Sequence, residues 1–106
     1  MLDSGLLGEV TLHSSSASLW RSVEPVPGTL TLTSARLKFE PSASLVQGGA
    51  LSIPLADIRR VELGMTAFVV PNRLVVIRRD GRKHEIVVGD RDGWAGRIRA
   101  VLQMRA

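Results

Sequence analysis

Four basic side chains crowd one turn of this 106-residue chain: Arg78 and Arg79 precede Asp80-Gly81, and Arg82 and Lys83 follow it. Asp-Gly between two apolar runs is a strong hairpin signal, so the four cations are expected together at a hairpin tip. Near an anionic bilayer each such cation contributes about 1 kcal/mol of attraction. Charges at this position also discourage edge-to-edge strand pairing, so solvated surface is the competing reading of the candidate anion or membrane contact. Other chemistry is sparse. Cys is absent, which removes thiolate ligands, disulfides and a cysteine nucleophile. His13 and His84 are far apart in sequence, no carboxylate pair has ligand spacing, and both histidines read as surface or cross-strand residues. No catalytic, metal or cofactor site is expected, and hence no enzyme.

The register of the hairpin decides where the basic cluster points. A two-residue turn places Val76 opposite Glu85, a carboxylate on an otherwise apolar face. A three-residue loop of Arg79-Asp80-Gly81 with Gly81 left-handed instead places Leu74 opposite Ile86 and Val76 opposite His84. That register gives one apolar stripe of Leu74, Val76, Ile86 and Val88, with Arg78 beside Arg82 beyond it. An anion between the two arginines would relieve their repulsion.

The rest of the chain reads mainly as strands. Val10 and Leu12, then Leu19, suggest two short strands joined across the serine patch Ser14 to Ser18, with Pro25 and Pro27 interrupting the pattern after them. Thr29 to Thr33 alternates strictly, and Arg36 to Glu40 repeats the alternation, so the two form a hairpin. A Ser- and Gly-rich loop from Ser42 to Ala50 leads to Leu51-Ser52-Ile53, and after Pro54 a strand resumes at Asp57 to Leu63. Ile58 and Val61 are three apart, which calls for a helical turn or a bulge. Gly64 to Pro71 reads as a connection, with Phe68 to Val70 apolar enough for a short strand. From Arg91 to about Met104 the period becomes helical, with Trp94, Ile98, Val101 and Leu102 on one face. The expected core is Leu30, Leu32, Leu37, Phe39, Ile53, Leu74, Val76, Ile86, Trp94 and Ile98.

Net charge is +4, but twelve of the fourteen basic residues are Arg, a bias that a GC-rich genome produces. Aromatic residues are 4% and charges alternate in sign, which argues against nucleic acid. No apolar run is long enough for a signal peptide or a membrane span, so a cytoplasmic protein is expected. The length fits a single domain over residues 1–106, with 1–6 loosely held.

Seven or so antiparallel strands followed by one helix is the expected fold class: a bent sheet or partly open barrel, mainly β, capped by the C-terminal helix. The order of motifs resembles the GRAM family of the pleckstrin-homology-like superfold. Those motifs are Gly28-x-Leu30-x-Leu32-Thr33-x-x-Arg36-Leu37-x-Phe39, Ile53-Pro54-Leu55-x-Asp57-Ile58, Asn72-x-Leu74-x-Val76, Asp80-Gly81 and Trp94. The resemblance spans about residues 8–102, and small bacterial relatives often stand alone. It implies a binding module without chemistry, adaptor-like, docking a protein partner or an anionic membrane surface. A phospholipid-headgroup site at the basic tip and a structural homo-oligomer are the alternatives. Lipid-binding pleckstrin-homology domains usually place basic residues in the first two strands, where this chain offers only His13 and Arg21. The apolar segment from Met65 to Val70, with Met65, Phe68 and Val69, is the candidate partner contact, as edge strand, subunit interface or membrane-touching loop.

Overall fold

The computed structural model describes residues 8–21, 24–42, 50–67 and 69–105. The expectation for residues 1–6 and most of the Ser42 to Ala50 loop therefore lie outside the described residues, as does Phe68. Seven antiparallel strands form one sheet: β1 (Thr11–Arg21), β2 (Glu24–Thr33), β3 (Arg36–Pro41), β4 (Leu51–Pro54), β5 (Ile58–Thr66), β6 (Val70–Arg78) and β7 (Lys83–Val88). A helix, α1 (Arg91–Arg105), follows them. The strand order is β4-β3-β2-β1-β7-β6-β5, so β4 and β5 are the two edges. A single 3-10 turn, Leu55–Asp57, nevertheless joins those edges directly. Three residues span so little distance that the sheet must curl until its edges approach each other.

The alternation of each strand fills the interior of that curl. All ten expected core residues are at most 1% exposed, and Ile53 next to one edge and Ile58 next to the other belong to the same apolar cluster. Trp94, Ala95 and Ile98 of α1 cover the opening, with Val101 and Leu102 packed at its margin. The bulge expected near Ile58 is present: the β5–β6 register shifts between Ile58 and Arg60, which lets both Ile58 and Val61 face inward.

Three readings of the sequence are corrected. First, the serine patch lies inside β1 rather than between two strands. Period two is carried by hydroxyls there: Ser15 faces inward opposite Leu30, whereas Ser14 pairs outward with Thr31, their hydroxyls 3.1 Å apart. Val10 and Leu12 are exposed, because a register shift between Thr11 and His13 turns His13, not Leu12, inward against Trp94 with ring centroids 4.8 Å apart. Second, Pro25 and Pro27 sit within β2. The Pro27 carbonyl faces the β3 side, where it accepts from the Ser42 N–H, and β3 ends at Pro41 opposite Gly28. The prolines therefore present their missing donors where no strand asks for them. Third, the connection after β5 is shorter than Gly64 to Pro71: β5 continues to Thr66, β6 starts at Val70, and Ala67 adopts φ 54° in the turn. The helix runs one residue past Met104, to Arg105.

Candidate functional site

The β6–β7 tip adopts the three-residue loop. Leu74 pairs with Ile86 and Val76 with His84, the Gly81 N–H donates to the Arg78 carbonyl at 3.0 Å, and Arg78 N–H donates to the Arg82 carbonyl at 2.8 Å. Gly81 has φ 93°, the left-handed backbone that glycine adopts without steric penalty. A further bond, Arg79 N–H to the Asp57 carbonyl at 2.8 Å, pins the tip to the 3-10 turn between the sheet edges. The arginines thus stand on a braced backbone.

Arg78, Arg79 and Arg82 come together with Asp57 and Asp80 around a cleft of about 300 Å³. The expected confrontation of Arg78 with Arg82 is confined to the backbone, because each guanidinium has its own carboxylate. Arg82 Nε donates to Asp80 at 2.9 Å and its backbone N–H donates to the other oxygen at 3.0 Å. Arg78 reaches Asp57 at the longer distance of 3.4 Å, and its buried Nε lacks a hydrogen-bond partner among the described residues. Arg79 Nε donates to the Ala56 carbonyl at 2.6 Å. The backbone N–H of Arg82, reinforced by its side chain, holds the Asp80 carboxyl below its ordinary range, so Asp80 stays ionised well into acid. Lys83 opens β7 as an exposed residue opposite Ile77 and does not line the cleft.

A second cleft adjoins the first across Arg79 and adds Arg59 and Arg105. Together the two are lined by five arginines and two aspartates. Nothing in the sequence connects Arg59 or Arg105 with the tip, because they belong to β5 and α1 and reach Arg79 only through the closed fold. Asp57 was readable only as part of the motif before Ile58; its place opposite Arg78 depends on the closure of the sheet.

The other candidate patch lies at the far end of β6. Met65 and Val69 are 54% and 73% exposed, and Leu63 and Val70 are exposed beside them. From Val70 to Arg78 is eight strand steps, about 26 Å. One flat surface meeting the arginine tip end-on therefore does not also meet the apolar turn. β5 is an edge strand, yet α1 blunts it: Arg99 donates to the Val61 carbonyl at 3.0 Å and Arg91 to the Gly64 carbonyl at 2.8 Å. On the outer face of the sheet, Arg73 lies 5.0 Å over the Trp20 ring and pairs with Glu85 at 2.7 Å.

A curled seven-stranded antiparallel sheet closed by one C-terminal helix defines a pleckstrin-homology-like domain. Solved structures with this fold include the C-terminal domain of an unknown protein from Leishmania infantum, with TM-score 0.79 and 17% identity over 92% of this chain and 88% of that one. The Vps36 N-terminal PH domain aligns with TM-score 0.70 and 19% identity over 92% and 81%. The hSac2 domain of the human phosphoinositide phosphatase Sac2 aligns with TM-score 0.58 and 17% identity over 92% and 70%. The GRAM domain model matches residues 5–87, and the chain belongs to that family. A comparison with curated proteins returns no match. Domains of this kind are in general non-catalytic binding modules for lipids or proteins. Among the described residues no helix is long and apolar enough to cross a membrane.

Proposed function

We propose that this domain is a non-catalytic docking module that meets an anionic membrane surface through the β6–β7 hairpin. The observation that supports this most directly is the arginine excess of the two adjoining clefts, five arginines against two aspartates, of which Arg78, Arg79 and Arg82 stand on a tip whose backbone is pinned to the 3-10 turn and Arg59 and Arg105 come from β5 and α1 beside it. Subtracting the two aspartates leaves three cations, and Lys83 adds a fourth. At about 1 kcal/mol each near an anionic leaflet, they supply roughly 4 kcal/mol, a millimolar contact. Such a contact serves localisation when combined with a second attachment, which is how an adaptor gains avidity. The anionic leaflet implied is the cytoplasmic one, with the domain peripheral to it.

A second reading, a protein or self-association contact, is favoured by the exposed apolar turn of Leu63, Met65, Val69 and Val70. The two readings use opposite ends of β6 and are separable. Co-sedimentation with vesicles of graded phosphatidylserine content tests the first. Binding should rise with anionic content and fall between 50 and 500 mM salt, since screening weakens exposed contacts. Equal binding to neutral vesicles would overturn it.

A further inference from the structure

β5 ends the strand order, so among the described residues one side of its backbone has no strand beside it. Within β5, Val61 pairs with Val76 and both are buried, which puts Arg60 and Glu62 on the opposite, solvent face. These two are joined at 2.8 Å with about half of each side chain exposed, an arrangement that contributes little to the stability of a single chain. The Val61 carbonyl points off the edge, where it accepts from Arg99 at 3.0 Å. A strand residue directs its N–H and C=O to the same side, so Val61 presents both groups there. The stopper on this edge is an exposed side chain, not backbone, and water replaces the carbonyl for that guanidinium when it swings away. Leu63 and Met65 are exposed further along the same strand.

We infer that β5 pairs antiparallel with β5 of a second copy of this chain, about a twofold axis at Val61. A twofold contact has to be self-complementary, and residues directly opposite each other in an antiparallel pair share a face. Between the two register shifts of β5, a centre at Arg60 or Glu62 opposes a charge to itself, and a centre at Leu63 or Gly64 leaves both charges without a counterpart. A centre at Val61 sets Arg60 opposite the partner's Glu62 and Glu62 opposite the partner's Arg60, four alternating charges on the solvent face. It also lets the two Val61 residues exchange both backbone hydrogen bonds. Strand addition of this kind is how an open sheet edge recognises another chain. The inference deepens the self-association reading of the apolar turn, which continues β5, and it is independent of membrane docking.

Sedimentation equilibrium of the whole chain at about 50 mM salt, where exposed charges are weakly screened, provides the test. Wild type, Arg60→Glu, Glu62→Arg, the double variant Arg60→Glu/Glu62→Arg and an equimolar mixture of the two single variants are compared. Wild type should form a concentration-dependent dimer. Each single variant alone opposes like charges at both pairs and should associate at least about fivefold more weakly. The double variant and the mixture restore opposite charges and should return to within about threefold of wild type. Arg60→Glu also lowers the net charge of +4, so general repulsion alone would strengthen its association, whereas strand pairing weakens it. Arg99→Ala removes the stopper and should tighten the dimer several-fold. The inference is overturned by single variants that associate as wild type does, by a double variant that fails to recover, or by a wild type that stays monomeric at millimolar concentration. Association that Val69→Asp abolishes and the charge swaps leave unchanged keeps the turn contact and overturns strand pairing. Pairing that follows the swaps and survives Val69→Asp supports the strand contact and removes the turn from it.

Discussion

The indole Nε1 of Trp94 donates to the Ser15 hydroxyl at 3.0 Å, joining the helix to the first strand across 79 positions of sequence. The ring itself is fully buried, so this one residue both fills the opening of the sheet and fixes the angle at which α1 crosses it. Two substitutions separate these roles. Trp94→Ala should cost about 3 to 5 kcal/mol of folding stability through lost packing. Ser15→Ala leaves the indole donor buried without a partner and should cost about 1 to 3 kcal/mol. Urea denaturation measures both; an unchanged midpoint for Trp94→Ala would show that α1 is not anchored through this ring.

Gly81 carries the reversal of the hairpin. A Cβ there meets nothing within 4 Å, so the cost of substitution is conformational rather than steric crowding by neighbours. Gly81→Ala should lose about 1 to 2 kcal/mol, and Gly81→Asn less, because Asn tolerates the left-handed region better. Thermal melts of the pair check the ordering. Equal stability of all three proteins would mean that the loop adopts another turn in solution.

What the sequence revealed and what it concealed follow from the range of the forces involved. The tip register was readable because the alternative put Glu85 on an apolar face, a local conflict visible in two adjacent strands. The core positions were readable because period-two alternation is local as well. The continuity of β1 was not, since Ser15 earns its inward place from an indole in the last element of the fold. The carboxylates that occupy Arg78 and Arg82 were only half legible. Asp80 is two residues from Arg82, whereas Asp57 reaches Arg78 only because the sheet closes on itself.

Acid stability should report Asp80 and Glu9, the two carboxyls among the described residues whose ionisation the fold favours. Asp80 is held low by the Arg82 backbone and side chain, and Glu9 by the Thr33 hydroxyl at 2.7 Å and then by Arg36. A carboxyl with a depressed folded-state pKa binds more protons when unfolded, so its stabilisation is complete above the unfolded value and is lost as pH falls through the folded one. Melting temperature should therefore be insensitive to these groups from pH 5 to 8 and drop below about pH 4. Asp80→Asn and Glu9→Gln should each flatten that acid limb. A limb of unchanged steepness in the double variant would contradict the assignment.

The apolar turn predicts association independent of lipid. Wild-type protein should self-associate at high concentration in sedimentation velocity runs, and Val69→Asp should abolish this without lowering the melting temperature, given the exposure of Val69. A monomer at every concentration for both proteins removes this contact from the self-association reading.

Because Asp80 occupies the Arg82 guanidinium and remains ionised near neutrality, it competes with any anion for that side chain. The most direct measurement is the partition coefficient onto phosphatidylserine-containing vesicles at low salt for three proteins: wild type, Asp80→Asn and Arg82→Gln. Membrane docking through the tip predicts a ranked series, with Asp80→Asn binding several-fold more tightly than wild type and Arg82→Gln several-fold more weakly, at about 1 kcal/mol per charge. Equal partitioning of all three would contradict it and leave the arginine hairpin as solvated surface.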